Sequence, residues 1–311
     1  MISRGLASFH WCVESVVHRV QDLSLFDTVA ALTLFLVVVF GVGVGGGMIS
    51  GGFEQRAFRI ASQVVLLGVL LHWPLLRNSA LWAILAIIAT WALVGRWYVS
   101  DNHKYLLVYW LWVVTIASWF GPGPEADRIL RINARFFLVF IFLGAALQKW
   151  FSPRYMSAEM FEEYLLLDSR FRAFAHLVGI DKSVTDAALL NYTTLKSPLS
   201  NVINNELLLP ATDRSRLVAL TLTWYDILVQ VFIGACLLFN RRVPDLLAHA
   251  ALLFFIFTTY LPAPVFGFGS TLTILGLTLS KDRFPRLALA YLAASVAVLL
   301  YQVPWREWVL A

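Results

Sequence analysis

Long apolar runs recur along this chain with little polar punctuation between them. Stretches of about twenty apolar residues, the length of one helix across a hydrocarbon core, fall at roughly 27–49, 57–76, 80–99, 104–121, 132–151, 217–239, 244–261, 265–280 and 285–303. The eighth is short and the second and third are joined tightly, so eight or ten spans also fit. The pattern predicts an all-α, polytopic membrane helix bundle with about nine transmembrane helices, five within 27–151 and four within 217–303. Residues 1–26 break the pattern. Leu6, Phe9, Val13, Val16, Val17 and Val20 share one helical face, while Arg4, Glu14, His18, Arg19 and Asp22 fall largely elsewhere. Such a segment is either an interfacial amphipathic helix or a solvated helix packed on the bundle, and it does not resemble a cleavable signal. Residues 152–216 form a second break, a short helical insertion. Ser152-Pro153 reads as a cap followed by a first-turn proline. A short amphipathic helix then sets Met156, Met160, Tyr164 and Leu167 against Glu159, Glu162 and Glu163. The rest, with Pro198 and Pro210, reads as loop and short helices. A short tail, 304–311, closes the chain.

Composition strengthens the membrane reading. Of 311 residues 59% are hydrophobic and 14% charged, against about half and a quarter in soluble domains. The net charge of +5 therefore does not argue for nucleic acid as a partner; the bilayer is the partner expected. Much of that charge is arginine in short loops, which orients spans. With the N-terminus inside, the cytoplasmic side carries Arg4, Arg19, Arg77, Arg128, Arg131, Arg135, Arg241, Arg242, Lys281, Arg283 and Arg286. The other side carries Arg56, Arg59, Arg96, Lys104 and Arg306. The bias predicts a cytoplasmic N-terminus, an extracytoplasmic C-terminus and an extracytoplasmic 152–216 insertion. Cys12 and Cys236 have no metal-binding or disulfide spacing, and no metal is expected.

Candidate chemistry is sparse. Gly41, Gly43 and Gly46 form Gly-x-Gly-x-x-Gly, but at a span end rather than between strand and helix, where close packing is the better reading. His72 and His249 sit within spans and read as hydrogen-bonded structural histidines rather than haem ligands. Asn191-Tyr192-Thr193 is a glycosylation sequon by pattern alone. Asp226 lies in the middle of the sixth span, one turn before Gln230. A carboxylate at that depth must be neutral, paired or wet, so it serves either as an interhelical clasp or in a site. The richest constellation lies on the outer face. The third span ends at Trp97-Tyr98, the fourth opens on Asn102-His103, the fifth ends at Gln148-Lys149-Trp150, and the seventh ends at Thr258-Thr259-Tyr260. A desolvated lysine can act as a base, and a nearby histidine can move a proton. The competing reading is an interfacial belt, where Trp, Tyr, Lys and Arg gather anyway.

Two of these strings resemble a known family. Asp101-Asn102-His103-Lys104-Tyr105-Leu106 is similar to the Asn-Asn-His-x-Tyr-Leu stretch of vitamin K-dependent gamma-glutamyl carboxylase. Phe140-Ile141-Phe142-Leu143-Gly144-Ala145-Ala146-Leu147-Gln148-Lys149-Trp150 resembles that enzyme's hydrophobic run ending in Ala-Gly-x-x-Lys-Leu. The wider group is the HTTM (horizontally transferred transmembrane) family, and the similarity covers roughly residues 27 to 285. The resemblance implies a carbon–carbon lyase using a reduced quinone of the vitamin K or menaquinol type, with O2 and CO2 as co-substrates. Lys149 would be the base that deprotonates the quinol, His103 its polar partner and Asn102 a positioning group. Trp97, Tyr98, Asp226, Thr258 and Tyr260 would line the substrate and quinone site. Tyr155 and Ser157 stand near positions where the family has Trp and Gly, and Thr258 stands where it has a histidine. The 311 residues do not include the large luminal domain that grips the peptide in the animal enzyme. A quinol-handling pocket is thus expected more firmly than carboxylation of a secreted peptide or small carboxylate substrate. Two other classes fit the same sequence: a non-catalytic membrane partner in the maturation, export or immunity of a secreted peptide, and a DoxX-like subunit passing electrons to quinone through an attached redox partner. A transporter would need an inverted repeat, which is not visible.

Overall fold

A computed structural model of the chain describes residues 23–42, 53–95, 97, 102–195, 210–260 and 265–302. Those residues form thirteen α-helices and one 3₁₀ turn, and no strand occurs among them. The expected N-terminal amphipathic helix and most of the glycine cluster at 41–47 lie outside the described residues.

A helix occupies each of the nine apolar stretches. They are α1 (Leu25–Val42), α2 (Phe53–Leu71), α3 (Ser79–Val94), α4 (Asn102–Trp119), α5 (Pro124–Trp150), α10 (Asp213–Leu238), α11 (Arg242–Tyr260), α12 (Phe266–Ser280) and α13 (Pro285–Gln302). The insertion adds α6 (Pro153–Met156), α7 (Glu159–Leu167), α8 (Arg172–Leu177) and α9 (Lys182–Leu195). Three helices, α5, α10 and α11, are long and apolar enough to cross a membrane. Apolar stretches in α1, α3, α12 and α13 are shorter. The second expected span ends early: α2 stops at Leu71, and the 3₁₀ turn Trp73–Arg77 carries the chain into α3. His72 is therefore an exposed residue at that break, not an interior histidine. His249 is buried in α11.

The chain divides into two compact units, 1–137 with 265–311 and 138–264. The first holds α1–α4, the start of α5, α12 and α13. Its interior tryptophans pair their indole N–H groups, as buried tryptophans must. Trp82 donates to the Leu76 carbonyl at 2.7 Å, Trp110 to the Thr33 hydroxyl at 3.0 Å and Trp112 to the Thr90 hydroxyl at 3.0 Å. Asn78 caps α3, accepting from the N–H groups of Ala80 and Leu81 at 2.9 and 3.2 Å.

The second unit holds the end of α5, the insertion and the α10–α11 hairpin. Its insertion has a core of its own: Ala158, Leu165, Leu166, Ala175, Ile180 and Ala188 close around Ala219 of α10. This corrects the expected amphipathic face. Met160, Tyr164 and Leu167 are half-buried, and the fully buried residues of α7 are Leu165 and Leu166. Ser152 also caps α6 without its side chain, through a carbonyl that accepts from the Tyr155 and Met156 N–H groups at 3.1 Å. After α8 the chain reverses through Gly179 at φ +84°, while the Ile180 N–H reaches the Ala175 carbonyl at 2.9 Å. That is a Schellman closure, which needs a residue without a Cβ penalty at that position. Helix α10 begins at Asp213, four residues before the apolar run, because Thr212 and Ser215 cap it reciprocally at 3.1 and 2.9 Å. The expected sequon falls inside α9.

Candidate functional site

Helix α5 delivers Lys149 in its last turn, where a cation is favoured by the exposed carbonyls of the helix end. Helix α10 delivers Asp226 from its middle. Both belong to the second unit, and their side chains are only 12% and 13% exposed. The Lys149 ammonium donates to Oδ2 of Asp226. The other carboxylate oxygen, Oδ1, accepts from Nε2 of Gln230 at 2.7 Å. Asp226 and Gln230 stand four residues apart on one helix, which puts them on one face. Tyr155, just inside the insertion, lays its ring 5.5 Å from the Lys149 ammonium, within cation–π range. Burial pushes the Tyr155 phenol up, with the nearby Tyr164 and Asp226 adding to the effect. Tyr155 therefore stays protonated and cannot serve as the base.

The pair changes the expected chemistry. Lys149 is not an isolated neutral amine. It is half of a buried ion pair, and the pair as a unit gains or loses the proton. Desolvating two charges costs several kcal/mol per ion, of the order that their mutual attraction returns. Such a pair can trade its proton between partners with little change in net charge, a property suited to moving protons.

Gln230 completes the group and was not singled out from sequence as a site residue. Its one legible signal was the four-residue spacing from Asp226. The amide orientation is chemically fixed, because turning Oε1 toward a carboxylate would set two acceptors against each other. With Nε2 committed to Asp226, Oε1 is left buried with no hydrogen-bond partner among the described residues. Gln230 is 5% exposed. A buried acceptor left unsatisfied costs about 1–3 kcal/mol.

The other expected site residues fall as follows. Tyr260, the last residue of α11, is buried at 5% exposure, and the Phe255 ring meets it edge-on at 6.0 Å. Thr258 is exposed. Its hydroxyl donates to the Phe254 carbonyl at 2.7 Å and is hydrogen-bonded to the Tyr225 hydroxyl. Beside the pair, Trp150 and Trp224 meet edge to face at 6.3 Å. Trp97, Asn102 and His103 belong to the first unit. Trp97 is exposed, and its carbonyl accepts from the Tyr105 hydroxyl. Asn102 opens α4, and His103 beside it is buried. Tyr98 lies outside the described residues. Among the described residues no group of His, Cys, Asp and Glu is arranged to hold a metal ion.

No protein-family model matches the chain, and no curated protein or solved structure matches it at a significant level.

Proposed function

We propose that this chain is a multi-pass membrane enzyme that takes a proton from a reduced quinone at the Lys149–Asp226 pair. The observation that carries the reading is the pair itself: a lysine and a carboxylate held together, nearly closed off, between two of the helices able to cross a membrane. Ionisable groups at such depth are expensive and mark proton or substrate sites by default. The resemblance of residues 140–150 to the carboxylase run supplies the substrate class. A bound quinol supplies an acidic hydroxyl and, with O2, a stronger base.

The residues of this chain then do the following. Asp226 and Lys149 together accept the hydroxyl proton, turning a neutral pair into a cationic one beside the new anion. Gln230 holds the carboxylate through Oδ1 so that Oδ2 faces the ammonium. Tyr155 covers the ammonium and keeps water from it. Carboxylation of a peptide or small carboxylate substrate with CO2 follows from the resemblance. The nine-helix pattern and the arginine bias support nine spans, a cytoplasmic N-terminus and an extracytoplasmic insertion, with the pair toward the outer face.

The test is anaerobic mixing of purified protein with reduced menadione, followed by an oxygen pulse. Wild type is expected to oxidise the quinol in a single turnover, and Lys149→Ala and Asp226→Asn to lose at least about a hundredfold in rate, the usual worth of a positioned base. Labelled bicarbonate reports whether carbon is also fixed. An inert but well-folded wild type would sink the enzyme reading in favour of a partner or electron-transfer subunit.

A further inference from the structure

The structure points to a discrimination that the proton-transfer reading does not require. We infer that Gln230 makes the site selective for the hydroxyl-bearing, reduced form of the ring over its oxidised, carbonyl-bearing form. The inference rests on the quinol reading above and deepens it.

Nε2 of Gln230 is committed to Asp226 at 2.7 Å, so the amide cannot flip. Oε1 is therefore a fixed acceptor, buried and without a partner among the described residues. Only a donor can satisfy it. A hydroquinone carries two O–H donors; the matching quinone carries none. A hydroxyl placed on Oε1 completes the amide, whose other end already holds the Asp226 carboxylate. A quinone carbonyl there would instead face another carbonyl oxygen. The Lys149 ammonium, on the Oδ2 side of Asp226, can donate to either form and so does not tell them apart. Sites built around a hydrogen bond to a substrate hydroxyl reject the analogue that lacks it, because the protein group is then stranded. Deep burial sharpens this, since a buried acceptor left unpaired carries its full desolvation penalty.

The measurement is equilibrium binding to the full chain in lipid nanodiscs under anaerobic conditions. Three ligands on one ring are compared: reduced menadione, menadione, which loses both donors without added bulk, and the dimethyl ether of the reduced form, which loses both donors and gains two methyl groups. Wild type is expected to bind the reduced form at least about tenfold more tightly than either of the others, the equivalent of one net hydrogen bond. Gln230→Met, similar in size and without a strong acceptor, is expected to level the three. Equal affinity of wild type for all three overturns the inference and leaves the quinol reading standing. No binding of any of them overturns both. A preference that survives in folded Gln230→Met assigns the discrimination to another group and overturns the inference as well. If Gln230→Met fails to fold, the ether decides alone: binding as tight as the reduced form refutes the role of the donor.

Discussion

The two units treat buried charge differently. In the first, charges gather at helix termini. Asp27, in the first turn of α1, takes both Nε and Nη2 of Arg77 at 2.9 and 2.7 Å. Lys281, at the end of α12, donates to the Leu23 carbonyl and, at 3.0 Å, to the Thr28 hydroxyl. Arg131 on α5 pairs with Asp127 at 3.8 Å and with Asp282. Helix ends offer unpaired backbone groups and a favourable dipole, so charge there is cheap to hold. The second unit also buries Asp245 in the first turn of α11, but Asp226 sits thirteen residues into the 26-residue α10, where the backbone is already paired. Only side chains can support it, and they do so while leaving the Gln230 oxygen unsatisfied. The first arrangement stitches helix ends together. The second holds a carboxylate at mid-helix by side chains alone, and the amide that supports it keeps a buried oxygen unpaired, as Asp127 keeps Oδ1 in the first unit.

Mutation should separate the two. Removing either Lys149 or Asp226 strands a buried charge and is expected to cost about 3–5 kcal/mol. The paired change Lys149→Met with Asp226→Leu should restore most of that stability while activity stays lost. Unfolding in mixed micelles, read on the two single variants and the double variant, checks this; a double variant no more stable than the singles would remove the case for a costly, function-bearing pair. Packing offers the next contrast. A Cβ on Gly276 would run into the Tyr291 ring, fully buried in the first unit. A Cβ on Gly234 in the second unit would meet the Leu143 side chain at 2.6 Å. The Gly234 clash falls on both Cδ2 and Cγ of Leu143, and a buried rigid ring yields less still, so Gly276→Ala should cost about 3 kcal/mol and Gly234→Ala about 2. The same unfolding assay reads the order, and a reversal would mean that the second unit packs more rigidly than its leucine contact implies. Arg77→Ala should cost about 1–3 kcal/mol, because Arg77 is 46% exposed while the Asp27 side chain it leaves behind is only 2% exposed and keeps Lys281 as a nearby positive charge. A loss as large as that of Lys149→Ala would erase the distinction drawn between stitch and site.

Much of the fold was legible because twenty-residue apolar runs have one good use, and a helix lies on each of the nine. What was not legible depends on contacts that periodicity does not encode. The start of α10 was missed because Thr212 and Ser215 cap it with polar residues outside the apolar run. The buried face of α7 was misread because Ala158, Ala175 and Ala188 let the insertion close on Leu165 and Leu166. At the site, Lys149 and Asp226 were each marked as costly, and their meeting was not foreseen. They lie 77 residues apart, and composition alone does not choose which interior partner a charge finds. Gln230 was overlooked because a glutamine in a span carries no charge to draw notice. Its importance rests on an amide turned by the Asp226 carboxylate, a contact that the four-residue spacing alone does not establish.

The smallest effect tests the insertion itself. Burial raises the Asp168 carboxyl, but the side-chain and backbone hydrogen bonds of Arg170 and its charge outweigh that, and the group lies below its usual range. Arg170 grips it from its backbone N–H at 2.9 Å and from Nε and Nη2 at 3.0 and 2.5 Å, closing the turn after α7. A carboxyl depressed on folding stabilises fully above its unfolded value, about 3.9, and loses that contribution as pH falls through the lower folded value. For a group this close to solvent the contribution should be a few tenths of a kcal/mol. Hydrogen exchange of α7–α9 should therefore be slightly slower in wild type than in Asp168→Asn at pH 6, with the two converging as pH drops below about 3.9. A gap that widens toward acid would mean that the turn is held by something other than the ionised carboxylate, and the insertion would then owe its stability to the Leu165–Leu166 core alone.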